Sequence, residues 1–334
     1  MNILKVYSRK DIQPYIKKRA GETKLGEVVK VVKKLSDLHK SSARFVMLGI
    51  PEDIGVRANY GIGGTSCAWE NALSNLLNLQ VNHLLPGENI IVLGEIDCEK
   101  QMQQASEILS GENHFVEELG ELVSQIDHKV SLIVQEIIAA GKFPIIIGGG
   151  HNNSYGNLTG ASNALGRKVN CINFDAHTDF RSLEHRHSGN GFSYAFEDGY
   201  LDKYFIFGLH RNYTSASVFR AMGKYSNRIQ YNLFEAIVVK GTLSFSQALE
   251  QAEDFCCQNN FGIEMDMDAI AMMGSSAISP SGFKVEEARR FIEYFSKLEN
   301  ACYVHICEGA PNRETFPNQI GKTIAYLVSD VISK

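Results

Sequence analysis

The sequence predicts an α/β fold with a mostly parallel sheet covered on both faces, and three observations predict it. Short apolar runs recur along the chain, each ending in Gly or polar residues; helix-like segments separate them; and the densest clusters of His, Asp and Glu follow four of the runs. Strands and helices alternating over most of a chain build a parallel sheet whose two faces are buried.

In chain order the runs are "RFVMLGI" (44–50), "NIIVLG" (89–94), "FPIIIGGG" (143–150), "VNCINFD" (169–175), "YFIFGLH" (204–210), "FGIEMDMD" (261–268) and "CYVHICE" (302–308). Each is apolar on successive positions rather than alternating, the pattern of a strand buried on both sides. Helix-like stretches lie near 65–79, 115–141, 243–258, 284–297 and 320–332. Residues 1–42 read as an N-terminal helical extension: an i, i+3/i+4 apolar pattern runs through 25–38, and the basic residues around it form a solvated face. Residues 43–334 then make a single α/β domain.

The 334 residues are 44% hydrophobic and 21% charged with 7 prolines, an ordinary globular composition. A net charge of −5 argues against a nucleic-acid surface, which needs clustered excess Lys and Arg, and points to a small-molecule partner. Seven Cys, several in apolar runs and none in a zinc-type CxxC pair, read as reduced core thiols. The first residues lack the apolar run of a signal peptide, and no stretch of about 18 apolar residues could span a bilayer. The expected location is the cytoplasm.

Function should sit beyond the carboxyl ends of the strands. There the chain reads "GGGHNN", "DAHTD", "EMDMD" and "CEGAP". Residues two apart in extended chain share a face, so Asp175, His177 and Asp179 converge, as do Asp266 and Asp268. With His151 after its glycine turn, the set holds four carboxylates and two imidazoles. Burying four carboxylates without cations costs several kcal/mol per ion. Six ligands exceed one tetrahedral zinc but suit two divalent ions roughly 3.5–4 Å apart, and oxygen-rich ligation with some imidazole favours two Mn²⁺ per chain. By itself a DxD reads as a helix cap, and His305, inside "YVHIC", reads as a hydrogen-bonded core residue. His39, His83, His114 and His128 read as surface residues; His185, His187 and His210 are left as minor candidates for substrate contact.

The motifs "GGGHNNSYGN", "NFDAHTDFR", "EMDMDAI" and "CEGAP", preceded by "GIPEDIGVRANYGIGGTSCAWE", resemble the ureohydrolase superfamily of arginase, agmatinase and formimidoylglutamase over about residues 43–330. The resemblance implies an arginase-like three-layer α/β/α sandwich and a trimer or hexamer. It implies one manganese on His151, Asp175, Asp179 and Asp266 and another on Asp175, His177, Asp266 and Asp268, with Asp175 and Asp266 bridging.

Gly150 before His151, and Arg181 in a "DAHxDxR" form, are similar to the formimidoylglutamase branch; Phe192 stands where arginases carry a proton-shuttling His. "DAIAMM" lacks the usual Asp-Pro, and "EGAP" replaces Glu-Val-Asn-Pro, which bears on pocket shape.

The implied chemistry is attack by a metal-bridging hydroxide on a linear amidine, N-formimidoyl-L-glutamate, giving L-glutamate and formamide. Asp179 would relay a proton to the leaving amine, and Glu308 would accept hydrogen bonds from the amidinium. Arg181 would grip a substrate carboxylate, with Arg211 and Arg57 as lesser candidates, Arg57 more in keeping with a structural salt bridge; Ser188, Gly189 and Asn190 would line the pocket. Agmatine, arginine and guanidinobutyrate are the competing substrates, and a catalytically silent metal-binding member is the competing class.

Overall fold

The structure, a computed structural model, describes residues 3–111 and 114–333. Within them nine strands form one sheet in the order β1-β3-β2-β4-β9-β8-β5-β6-β7. They are β1 (Leu4–Val6), β2 (Phe45–Gly49), β3 (Ile90–Ile96), β4 (Phe143–Ile147), β5 (Val169–Phe174), β6 (Leu201–Leu209), β7 (Ile229–Leu233), β8 (Phe261–Asp266) and β9 (Ala301–Cys307). All pairings are parallel except that of β1 with β3. The seven apolar runs are β2–β6, β8 and β9; β2, β4, β5 and β8 are buried at every position.

Two apolar layers sandwich the sheet. One packs helices Ala68–Leu76, Phe245–Cys256, Val285–Ser296 and Gln319–Ile332 against residues such as Ile145, Phe174 and Ile263. The other packs Phe115–Ala139, Ser154–Leu165 and Gly191–Glu197 against Ile146, Cys171 and Ile206. Each fully buried Ile, Leu or Phe contributes roughly 1.5–3 kcal/mol. The three-layer α/β/α architecture is therefore the expected one, and all five expected helices are present. Of the described residues, no helix is long and apolar enough to cross a membrane.

Residues 3–42 correct the reading of a helical extension. Leu4–Val6 is an edge strand, only Leu25–Val28 makes an α-helical turn within 25–38, and Leu35–Lys40 is a 3-10 turn. Between these turns the Lys30 amide donates to Ile90 O at 2.8 Å, and Val92 N donates to Lys30 O at 2.9 Å. Pairing with β3 outweighs the local helical pattern. Ile12, Ile16, Leu25 and Val29 join the same apolar layer as Phe45 and Trp69, so this segment is built into the sheet edge.

Candidate metal centre

The site is assembled at the carboxyl ends of β4, β5, β8 and β9, adjacent strands in the sheet though distant in sequence. After β4 the chain turns through Gly148 and Gly149, at φ of 92° and 74°. A Cβ on Gly149 would stand 2.4 Å from Asn153 Nδ2, so only glycine fits this turn. Glu52, buried after β2, holds the turn: its Oε1 accepts from Gly150 N at 2.9 Å and Asn153 Nδ2 at 2.6 Å, while Oε2 accepts from Ile54 N at 2.7 Å. His151 is thereby turned over the sheet end.

His151 Nδ1 lies 2.8 Å from Asp179 Oδ2, 3.2 Å from Asp266 Oδ2 and 3.4 Å from Asp175 Oδ2. His177 Nδ1 lies 3.2 Å from Asp268 Oδ2 and 3.4 Å from Asp175 Oδ1. Two compact donor sets result, His151 with Asp175, Asp179 and Asp266, and Asp175 with His177 and Asp268. Asp175 is common to both. The second set closes without Asp266, whose Oδ1 accepts the Asp268 amide at 2.7 Å. All six sequence-derived ligand candidates are therefore brought together.

The polar atoms of these sets fit divalent cations. Neither His151 ring nitrogen has a hydrogen-bond partner of ordinary geometry, and buried Asp268 Oδ1 has none. Asp179 and Glu308 are non-glycine residues at φ of 42° and 61°, the backbone strain that clusters at functional sites. Burial disfavours a charged His151, yet Cys307 and the carboxylates of Asp175, Asp179 and Asp266 outweigh it and raise its pKa. His177 is likewise raised against burial by Asp268 and Asp175. Asp175 is lowered, because the two imidazoles overcome its burial, whereas burial and the Asp175 charge push Asp179 up to about 6.

A pH dependence follows. The surrounding carboxylates raise the pKa of both imidazoles, and a cation must compete with protons for them, so affinity should rise with pH and fall as acid competes. Calorimetric Mn²⁺ titration at pH 7 in buffers of different ionisation enthalpy should register net release of protons from the chain. Binding with no proton uptake by the buffer would contradict this arrangement.

A cavity of about 640 Å³ opens over the cluster, lined by His177, Asp179, Asp266, Asp268 and Glu308 on one side and by Asn59, Arg181, Ser188, Gly189, Tyr213 and Ser276 among others. One oxygen of Glu308, Oε1, accepts the His151 amide at 2.7 Å, and burial raises the pKa of this carboxyl to about 8 in the metal-free protein. Arg181 donates from Nη1 to Asn59 Oδ1 at 2.6 Å and from Nη2 to Glu184 Oε1 at 3.1 Å, with half its side chain exposed. Asn59 Nδ2 in turn reaches Ser188 Oγ at 3.2 Å.

Two sequence-derived pocket residues lie elsewhere. Asn190 is fully buried: its Oδ1 accepts from Arg186 and the His187 amide, and its Nδ2 donates to His185 O. It builds the turn that presents Ser188 and Gly189 rather than lining the cavity. Arg211 is outside the cavity wall, 65% exposed and 3.6 Å from Glu235 Oε1, because its backbone leaves β6 toward solvent. Arg57 is structural, donating to Ala105 O at 2.5 Å, a carbonyl where a salt bridge was expected.

His185, His187 and His210 do not line the cavity; His187 accepts the Gly189 amide, and His210 stacks on Phe234. His305 is the buried, hydrogen-bonded core residue expected, and His39, His83, His114 and His128 are exposed. Phe192 is buried edge-on against the His151 ring.

Several supports of the site carry no local signal in the sequence. Buried Arg186 donates to Asp127 and to Asn152 O at 3.0 Å each and lies between the Tyr155 and Tyr194 rings, joining the 186–190 loop to the His151 turn. Tyr213, at the cavity mouth, stacks on His177 with centroids 4.9 Å apart. Asn59 and Glu52 sit in the quoted "GIPEDIGVRANYG" stretch, but only their tertiary partners reveal what they hold.

The fold has counterparts. Curated formimidoylglutamases from Geobacillus sp. (strain WCH70) and Geobacillus thermodenitrificans are 29% identical over 285 residues and 28% identical over 302 residues. The alignments cover 81% and 88% of this chain and 79% and 84% of those proteins. A Trypanosoma cruzi formiminoglutamase solved with Mn²⁺ superposes at a TM-score of 0.73 with 20% identity, covering 93% of this chain and 97% of that one. The Bacillus subtilis formimidoylglutamase gives 0.75 with 18% identity over 97% and 98% of the two chains. The sequence model of the arginase family matches residues 43–333, and with that match over nearly the whole chain, the protein belongs to the arginase family.

Proposed function

We propose that this chain is a manganese-dependent hydrolase of linear amidines whose substrate is N-formimidoyl-L-glutamate, released as L-glutamate and formamide. The observation that carries the reading is the convergence of four carboxylates and two imidazoles at the floor of a cavity whose wall includes Arg181. The formimidoylglutamases among its relatives support the substrate. His151, Asp175, Asp179 and Asp266 would hold one Mn²⁺, and Asp175, His177 and Asp268 the other. Bound there, the two ions neutralise the clustered carboxylates and supply hydroxide near neutral pH.

The chain's own groups do the rest. Glu308 keeps Oε1 on the His151 amide and offers Oε2 to the planar amidinium, fixing the reacting carbon over the donor cluster. Asp179, on strained backbone at the cluster edge, takes the proton of the attacking oxygen and returns it to the departing amine. Arg181, pre-oriented by Asn59, pairs with a glutamate carboxylate in place of exposed Glu184. Six buried thiols suit a reducing cytoplasm, and we place the enzyme there as a homo-oligomer, a trimer or hexamer.

Steady-state assay of the Mn²⁺-loaded protein on N-formimidoyl-L-glutamate, agmatine, arginine and 4-guanidinobutyrate is the direct test, with turnover of the first expected and turnover of agmatine alone refuting the substrate. Arg181→Ala should raise KM for formimidoylglutamate about 10–100-fold with little change in kcat, since a charge-assisted hydrogen bond contributes about 1.5–3 kcal/mol. An unchanged KM would remove Arg181 from the substrate site.

A further inference from the structure

Beneath the candidate ligands lies a second polar row that the proposed chemistry does not use. Strand register fixes it: Asn173 on β5 pairs with Glu264 on β8, and Glu264 pairs with His305 on β9. One step along, Asp266 pairs with Cys307. Residues two apart in a strand face the same way, so Glu264 and Asp266 share a face and Glu264 underlies the donor cluster.

Glu264 is a carboxylate with no exposure to solvent, and its neighbours are specific. Tyr303 donates its hydroxyl to Oε1 at 2.8 Å. His305 Nδ1 lies 2.6 Å from Oε2, and the Nε2 of the same ring is 3.2 Å from Gly148 O, in the turn that carries His151. Oε2 also stands 3.5 Å from His151 Nε2. The His151 ring is thus held between two acidic fields, with Asp175, Asp179 and Asp266 facing Nδ1 and Glu264 facing Nε2.

An imidazole that presents Nδ1 to a cation carries its proton on Nε2, and that proton needs an acceptor; where a carboxylate fills the role it fixes the tautomer and ring plane. We propose that Glu264, anchored by Tyr303 and His305, is a positioning residue for His151 and selectively strengthens the ion held by His151, Asp175, Asp179 and Asp266. This rests on His151 being a ligand. A purely structural core ion pair would instead stabilise the fold and leave the two ions alike.

The test compares the full-length wild type with Glu264→Gln and Tyr303→Phe. Mn²⁺ isotherms resolve the two sites, manganese spin resonance separates the coupled pair from a single ion, and melting of the metal-free proteins reports the fold. Glu264→Gln keeps the volume but removes the charge, and should weaken one site about 10–100-fold while the other stays within about twofold. The coupled-pair signal should give way to that of a single ion at Mn²⁺ concentrations that fill both wild-type sites. Tyr303→Phe should lower the melting temperature yet leave both affinities within about twofold.

Should Glu264→Gln not fold, His305→Gln, which takes away the anchor of Glu264, is expected to weaken the same site by about tenfold. A Glu264→Gln or His305→Gln protein that has a lower melting temperature but unchanged affinities at both sites, or that weakens both sites equally, would overturn the proposal. Wild-type protein that binds fewer than two ions would overturn the ligand reading beneath it.

Discussion

Asp175→Asn should abolish turnover and loosen both ions together. Asp175 is the residue common to the two donor sets, fully buried, with Oδ2 toward His151 and Oδ1 toward His177. Asn173 Nδ2 donates to Oδ2 at 2.8 Å and the His177 amide to Oδ1 at 2.6 Å, so the carboxylate cannot turn away. The amide removes one negative charge and turns an N–H donor toward a cation or an imidazole. Even supporting residues around metal ligands typically change affinity 10–100-fold, so a shared ligand should cost each ion more than about a hundredfold and kcat at least about a thousandfold. An increase in melting temperature with Mn²⁺ is expected of the wild type and should vanish in the variant, because stabilisation by a ligand scales with the logarithm of its concentration over Kd. Calorimetric melts with and without Mn²⁺ check this; a variant still stabilised by Mn²⁺ would mean that Asp175 bridges nothing.

The second large effect is expected at Glu308. Glu308→Gln retains an oxygen for the His151 amide, so the turn and the ions should stay in place. The lost element is the charged oxygen on the cavity side, replaced by an amide nitrogen that repels an amidinium. Removing one preorganised electrostatic partner of a reacting group costs about 10²–10³ in kcat, which sets the expected loss. Metal content by elemental analysis should be unchanged, separating this variant from Asp175→Asn. In the metal-free protein burial pushes the Glu308 pKa up to about 8; bound cations favour the carboxylate and move it down. Wild-type activity should therefore require excess Mn²⁺ most strongly at low pH. Full activity in Glu308→Gln would exclude the contact.

Legibility followed local pattern. The strands named in advance are central and buried on both faces, so their apolar runs are uninterrupted. β1 has three residues and β7, "IQYNL", buries only two of five, so edge strands leave little periodic signal. The helix Ser154–Leu165, "SYGNLTGASNAL", has no helical signature in the sequence because its residues are small and polar yet buried. Its Gly156 and Gly160 let it press on Phe115–Ala139: a Cβ on Gly156 would meet Val130 Cβ at 2.8 Å, and one on Gly160 would meet Ser131 O at 2.6 Å. Close helix packing through glycine carries no amphipathic stripe.

The sequence by itself determined that four strand ends carry His, Asp or Glu, two of them at two-residue spacing, because strand periodicity and the demand for counter-cations are local properties readable from neighbouring letters. Tertiary structure alone decided which polar residues face those ends. The order β4-β9-β8-β5 brings Glu264 under His151, Glu52 reaches across to Gly150, Asn190 is drawn into the Arg186 cluster, and Arg211 is turned outward to Glu235. The Glu264 and Glu52 placements depend on pairings between residues many tens of positions apart, and the energies of all four are set by burial and charge in the assembled core.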